Sequence, residues 1–190
     1  MGTAFRRTRD GAFTCTLHGA EADLLRSLVS QLLELLADGE PQVTSVGDPL
    51  EQVLDLASPE PPSDPVLRRL FPDAYSDEAA ASDFRRYTER GIRETKRRNA
   101  LVVLTDLDRA EPAGREPDDR RVVRVDARDG EAWMRSLTDL RLALGTRLGL
   151  EQDVEPEWLH GAGDDPRRYV YGVYEWLGWL QDTLVRAVMR

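Results

Sequence analysis

The sequence predicts a mainly α-helical, bundle-like single domain with a small N-terminal β-hairpin. Three observations predict it. Residues 133–149 (W-M-R-S-L-T-D-L-R-L-A-L-G-T-R-L-G) and 174–185 (Y-E-W-L-G-W-L-Q-D-T-L-V) place Leu and Trp at three- and four-residue spacing, the period of an amphipathic helix. Residues 20–37 carry leucine on almost every turn. Near the N-terminus, Asp10-Gly11 separates two β-prone runs, and both residue types tolerate the positive φ of a tight hairpin turn.

The elements follow in order. The hairpin takes 4–9 and 12–17, within a segment 1–17, and needs helices to pack on because an isolated hairpin is marginal. In 20–37, Leu24, Leu25, Leu28, Val29, Leu32, Leu33, Leu35 and Leu36 form a stripe wide enough for a helix buried on two sides. Asp48-Pro49 predicts a short helix over 50–56, with Asp as N-cap and Pro in the first turn. The Pro-rich run 58–65 is a stiff connector, and Asp64-Pro65 repeats the cap before 66–71. A long helix runs from 77 to 104, with Phe84, Thr88, Gly91, Thr95 and Val102 along one side. Helices thus occupy 20–104. A polar loop covers 105–121 within a loop-and-strand segment 105–129. There Val122-Val123-Arg124-Val125 suits a third short strand beside the hairpin. Two C-terminal helices fill 130–190. The first has Trp133, Leu137, Leu140, Leu144 and Leu148 inward and stops at Gly149. The second starts at Asp165-Pro166 with Tyr169, Val173, Trp176, Leu180, Leu184 and Ala187 inward.

Composition narrows the function. The 190 residues hold 26 Lys and Arg against 35 Asp and Glu, a net charge of −9, which argues against a nucleic-acid footprint over the whole surface. The one cysteine, Cys15, forbids an intrachain disulfide and suits a reducing cytoplasm. No apolar run reaches the 18 residues of a membrane span, and neither a leader peptide nor a myristoylation signal is expected at the N-terminus. No Ser-elbow, P-loop, HExxH or CxxC motif occurs, and His18 and His160 stand apart, so no catalytic residue, metal site or cofactor is expected. The acidic pairs Asp77-Glu78, Asp118-Asp119 and Asp164-Asp165 fall in loops or first helical turns, where they cap helices or stay solvated.

The residues that stand out are basic and aromatic. Between Arg85 and Arg98 there are seven basic and two acidic residues. Arg86, Arg90, Arg93 and Arg97 recur along one side of the long helix. That face reads as an electrostatic contact for an acidic protein or for phosphates, or as a solvated face braced by the pairs Glu89–Arg93 and Glu94–Arg98. Tyr87 alone is too little for a base-stacking platform. Arg141, beside Leu140 and Leu144, is expected to be partly buried and paired with Asp139 or another carboxylate. Tyr171 and Trp179 fall off the core stripe of the last helix, so each is an interface aromatic or one packed under a loop. Cys15 alternates with Phe13 and Leu17 and should share their core-facing side. A reactive thiol there would need exposure and a lowered pKa.

The stretch D-P-V-L-R-R-L-F-P-D-A-Y (64–75), together with 133–149, 174–185 and the Leu-rich helix, resembles an actinobacterial domain family of unknown function. That family includes an oxidative stress regulator. The resemblance covers nearly the whole chain, and 133–149 is its most specific part. It implies a cytoplasmic, non-enzymatic regulator of oxidative-stress and cysteine-metabolism genes. Its expected partner is a protein: a sigma factor, RNA polymerase, or, for an adaptor in proteolysis or sulfur metabolism, a Clp component. Direct contact with DNA is left open, though no helix-turn-helix stands out. In the family's regulator the switch is a disulfide between two cysteines separated by three residues. Here Cys15 has glycine at both matching positions, Gly11 and Gly19, so the resemblance carries redox sensing only through an intermolecular or mixed disulfide.

Overall fold

A computed structural model describes residues 2–38, 61–114, 119–150, 156–160 and 164–189. In chain order the elements are β1 (Arg6–Arg7), β2 (Phe13–Leu17), α1 (Gly19–Asp38), α2 (Pro65–Leu70), α3 (Glu78–Asp108), β3 (Glu111–Pro112), β4 (Arg121–Val125), α4 (Gly130–Leu148), a 3-10 turn (Glu157–Leu159) and α5 (Pro166–Val188). Helices dominate, as the apolar periodicity predicts, and the helix expected over 50–56 lies outside the described residues.

The hairpin forms around Gly11, whose φ of 87° needs a residue without a Cβ. Its first strand is only two residues long, so the expected strand over 4–9 is shortened. The third strand expected at 122–125 forms as β4 and pairs antiparallel with β2, Cys15 opposite Val123. The sheet order is β1-β2-β4-β3. β3, at the edge, replaces part of the loop expected over 105–121, and an edge tolerates the missing N–H of Pro112.

Local capping explains the helix starts. At α1, the Glu21 carboxylate accepts from the His18 amide at 2.8 Å, one arm of a capping box, and from the Gly2 amide at 2.9 Å. Asp64 accepts from the Val66 amide at 2.6 Å, and Asp165 from the Arg167 amide at 2.9 Å, each with Pro next in sequence. α4 stops at Gly149, whose φ of 67° is left-handed, and the Leu150 amide bonds back to the Gly145 carbonyl at 2.9 Å.

One continuous cluster of buried apolar residues joins sheet and helices. Trp133 is its centre: fully buried, edge-on to Phe5 at 5.6 Å, with its indole N–H donating to Asp106 at 2.8 Å. All five residues expected on the α4 core face are buried. In α1, Leu25, Val29, Leu32 and Leu36 are buried, and Leu24, Leu28, Leu33 and Leu35 pack partly against the same cluster.

Two expectations are corrected. α3 does not end at 104. Val103 and Leu107 continue its buried side to Asp108, and Asp106, which reads as a polar loop residue, is turned inward by the Trp133 bond. In α5, Tyr169 is 71% exposed rather than in the core, because the inward stripe enters through Val170 and Val173.

Candidate functional site

α3 carries the basic cluster, and the structure divides it. Its inward side holds Ala81, Arg85, Arg93, Ala100, Val103, Asp106 and Leu107. Arg93 is 3% exposed, so it does not belong to a solvent-facing row with Arg86, Arg90 and Arg97. Its guanidinium lies over the Phe71 ring at 4.5 Å, donates to the Leu36 carbonyl at 2.7 Å and pairs with Glu89 at 2.6 Å. The reason is helical geometry: Leu36 is in the last turn of α1, where carbonyls lack intrahelical donors and the dipole favours a cation. Arg85 also turns inward and pairs with Asp73. Arg90 stays exposed, and Arg86 and Arg97 are half-buried. The expected Glu89–Arg93 brace is present, but as a buried clamp rather than a surface pair.

The side of α3 bearing Thr88, Gly91 and Thr95 lines an open groove. The groove runs against α4, beside α2, and holds about 720 Å³. Leu70, Pro72, Ile92 and Leu142 supply its apolar surface, and Tyr87 at its rim is 78% exposed. Two of its lining residues, Lys96 and Asp139, pair at 2.6 Å. Asp139 is buried, and burial pushes its carboxyl above the ordinary value, although the Lys96 ammonium opposes this. Arg86 lies 5.7 Å from the Tyr87 ring centroid. The exposed surface of α3 therefore combines arginine with an aromatic next to a partly apolar groove. Arginine and tyrosine are residue types enriched at protein interfaces.

The expected aromatic pair also separates. Trp179 is 38% exposed on α5. Tyr171 is half-buried, edge-on to Trp158 at 6.0 Å and stacked on Tyr174 at 6.0 Å, so it packs beneath the 3-10 turn. Cys15 is 2% exposed and faces the core with Phe13 and Leu17. Burial, and secondarily the Glu21 carboxylate, push its thiol far above the usual range. Nucleophilic or redox chemistry needs the thiolate, which this environment suppresses.

Arg141 departs from expectation. Asp139 is taken by Lys96, and Arg141 instead donates to Gln181 at 3.2 Å and to the Tyr174 hydroxyl at 3.2 Å. Neither partner is charged, and nothing in the local sequence marks this. Among the described residues no group of three or more His, Cys, Asp or Glu converges as a metal site, and His18 lies 3.6 Å from Asp119. Among those residues, too, no helix is long and apolar enough to cross a membrane.

The family described as Domain of unknown function (DUF2017) matches residues 2–188. The Oxidative stress regulator AosR of Mycobacterium tuberculosis is 33% identical over 96% of this chain and 85% of its own length, and that of Mycobacterium bovis matches equally. The Putative oxidative stress regulator AosR of Mycobacterium leprae is 33% identical over 89% of this chain and 79% of its own length. No solved structure matches. With a family match from residue 2 to residue 188, the chain belongs to the DUF2017 family.

Proposed function

We propose that this chain is an accessory transcriptional regulator of oxidative-stress and cysteine-metabolism genes, non-catalytic, acting by protein contact with a sigma factor or RNA polymerase. The observation that carries the proposal is 33% identity over 96% of the chain to relatives named oxidative stress regulators. The exposed part of α3 supports the mode of action. A partner surface rich in carboxylates would meet Arg86, Arg90 and Arg97 over the apolar patch of Tyr87 and Ile92. Charge placed there speeds encounter and fixes orientation, while the aromatic contributes buried area. Trp179 is a second apolar contact point. With one buried cysteine, the oxidative signal reaches this protein through its partner rather than through an intrachain disulfide.

The test is a tagged pull-down from cytoplasm, comparing the natural chain with the triple substitution Arg86→Glu, Arg90→Glu, Arg97→Glu. The expected result is polymerase or sigma factor with the natural chain and its loss with the variant, whose circular dichroism stays unchanged. Clp components or sulfur-pathway enzymes without polymerase would favour an adaptor instead and overturn the proposal.

A further inference from the structure

On the far side of Thr138 and Leu142 from the α3 groove lies a recess of about 410 Å³ between α4 and α5, with Arg69 of α2 at its edge. Its lining, among the described residues, includes two cations and no carboxylate. Arg141 is held within it. Its guanidinium carbon sits 4.9 Å from the centre of the Tyr174 ring. A Cβ on Gly178 would come within 3.3 Å of that carbon and of Nε, so the glycine lets the guanidinium lie against α5. Its hydrogen bonds go to the Gln181 amide oxygen and the Tyr174 hydroxyl, both neutral. Its Nε–H is buried and has no acceptor.

A half-buried guanidinium without a counter-charge among the described residues is unusual, because desolvating a charge is costly unless an opposite charge or full hydrogen bonding offsets it. The neighbouring donors show what is missing. Thr138 and Thr146 already donate to the carbonyls of Met134 and Leu142, and the Gln181 amide nitrogen donates to Thr138 and Met134. Tyr174 accepts from Arg141 and keeps its own O–H to donate. Among the described residues the recess thus offers spare donors on Arg141, Arg69 and Tyr174 and no anionic acceptor to meet them.

We propose that this recess binds a small oxyanion, a carboxylate- or phosphate-bearing metabolite, between Arg141 and Arg69. Guanidinium groups match the geometry of both oxyanions, and the volume admits a small metabolite but not a macromolecule. α4 and α5 form both the walls of this recess and the largest helix interface of the core. Occupancy would stabilise the folded chain by mass action.

The experiment is thermal unfolding and titration calorimetry of the full chain with sodium phosphate and with sodium succinate, against sodium chloride at equal ionic strength. The expected result is a rise in Tm of a few degrees with at least one oxyanion beyond that with chloride, and a Kd weakened about tenfold or more in Arg69→Ala. Binding is lost in Arg141→Met. Phosphate alone or succinate alone would each support the site and identify its oxyanion. Arg69 is exposed, so Arg69→Ala keeps the test valid if Arg141→Met does not fold. Three results would overturn the proposal: no oxyanion distinguishable from chloride at tens of millimolar, natural affinity retained in Arg69→Ala, or binding of an acidic peptide at this site with both small anions silent.

Discussion

Arg93 donates to the Leu36 carbonyl at 2.7 Å, joining the middle of α3 to the end of α1. The bond turns a residue from an apparently solvated charge run into part of the core. Replacing Arg93 with Met leaves that carbonyl and the largely buried Glu89 carboxylate without their cation. The expected loss of stability is about 3 kcal/mol, the range for breaking one side of a buried pair. Arg90→Glu, three residues away and exposed, should stay within about 0.5 kcal/mol of the natural chain. Urea denaturation of the two variants checks the contrast.

Burial raises the carboxyl pKa of both Asp106 and Asp139, but only Asp139 has a cation for its hydrogen-bond partner. Burial raises the Asp106 carboxyl above its ordinary 3.8, outweighing the Trp133 bond that lowers it. A folded pKa above the unfolded one means the group's favourable contribution is complete below the unfolded value and is lost as pH rises through the folded value. Asp106→Asn can still accept from the indole and carries no charge. Its urea midpoint, relative to the natural chain, should be higher at neutral pH than near pH 4. A pH-independent difference would contradict this.

Asp139→Asn removes the counter-ion of the mostly buried Lys96. Two effects then oppose each other: relief of the buried carboxylate, whose pKa burial holds above its ordinary value, and loss of the Lys96 counter-charge. The double variant carrying Lys96→Met should therefore be more stable than Asp139→Asn alone. A double-mutant cycle by thermal or urea unfolding measures that coupling.

Cys15 should be silent in the native state. A thiol-reactive probe is expected to label it only at the rate of unfolding, and mild peroxide should leave the chain monothiol and uncrosslinked. Rapid labelling without denaturant, followed by mass spectrometry, would contradict this.

Gly149 closes α4 at a φ of 67°. Gly149→Ala should cost about 1 kcal/mol through backbone strain alone, since open space surrounds the position. A thermal melt suffices to measure it.

Much of the fold was legible because its signals are local. The α4 core face, the Asp-Pro caps of α2 and α5, the Gly11 turn and the β4 strand all follow from spacing or from one or two residues. What was not legible depends on partners distant in sequence. Arg93 and Asp106 read as polar because their acceptor and donor, Leu36 and Trp133, lie in other elements. Arg141 read as half of an ion pair with Asp139 because Lys96 was not visible as the competitor. Of the proposed interaction face, Arg90 alone keeps full exposure, Arg86 and Arg97 are half covered, and Arg93 is inside.

The β2–β4 pairing and the Phe5–Trp133 contact tie the start of the chain to its second half, and the Phe5 amide reaches Thr183 in the last helix at 3.3 Å. During synthesis, then, the hairpin emerges long before β4, the other partner of β2, exists. α1 would wait for α3 to cover its leucines, and the core would close only once α4 and α5 leave the ribosome. Such long-range closure makes folding slow and late, and leaves the nascent chain dependent on shielding from aggregation. A chain truncated before β4 should accordingly be insoluble rather than a smaller folded unit.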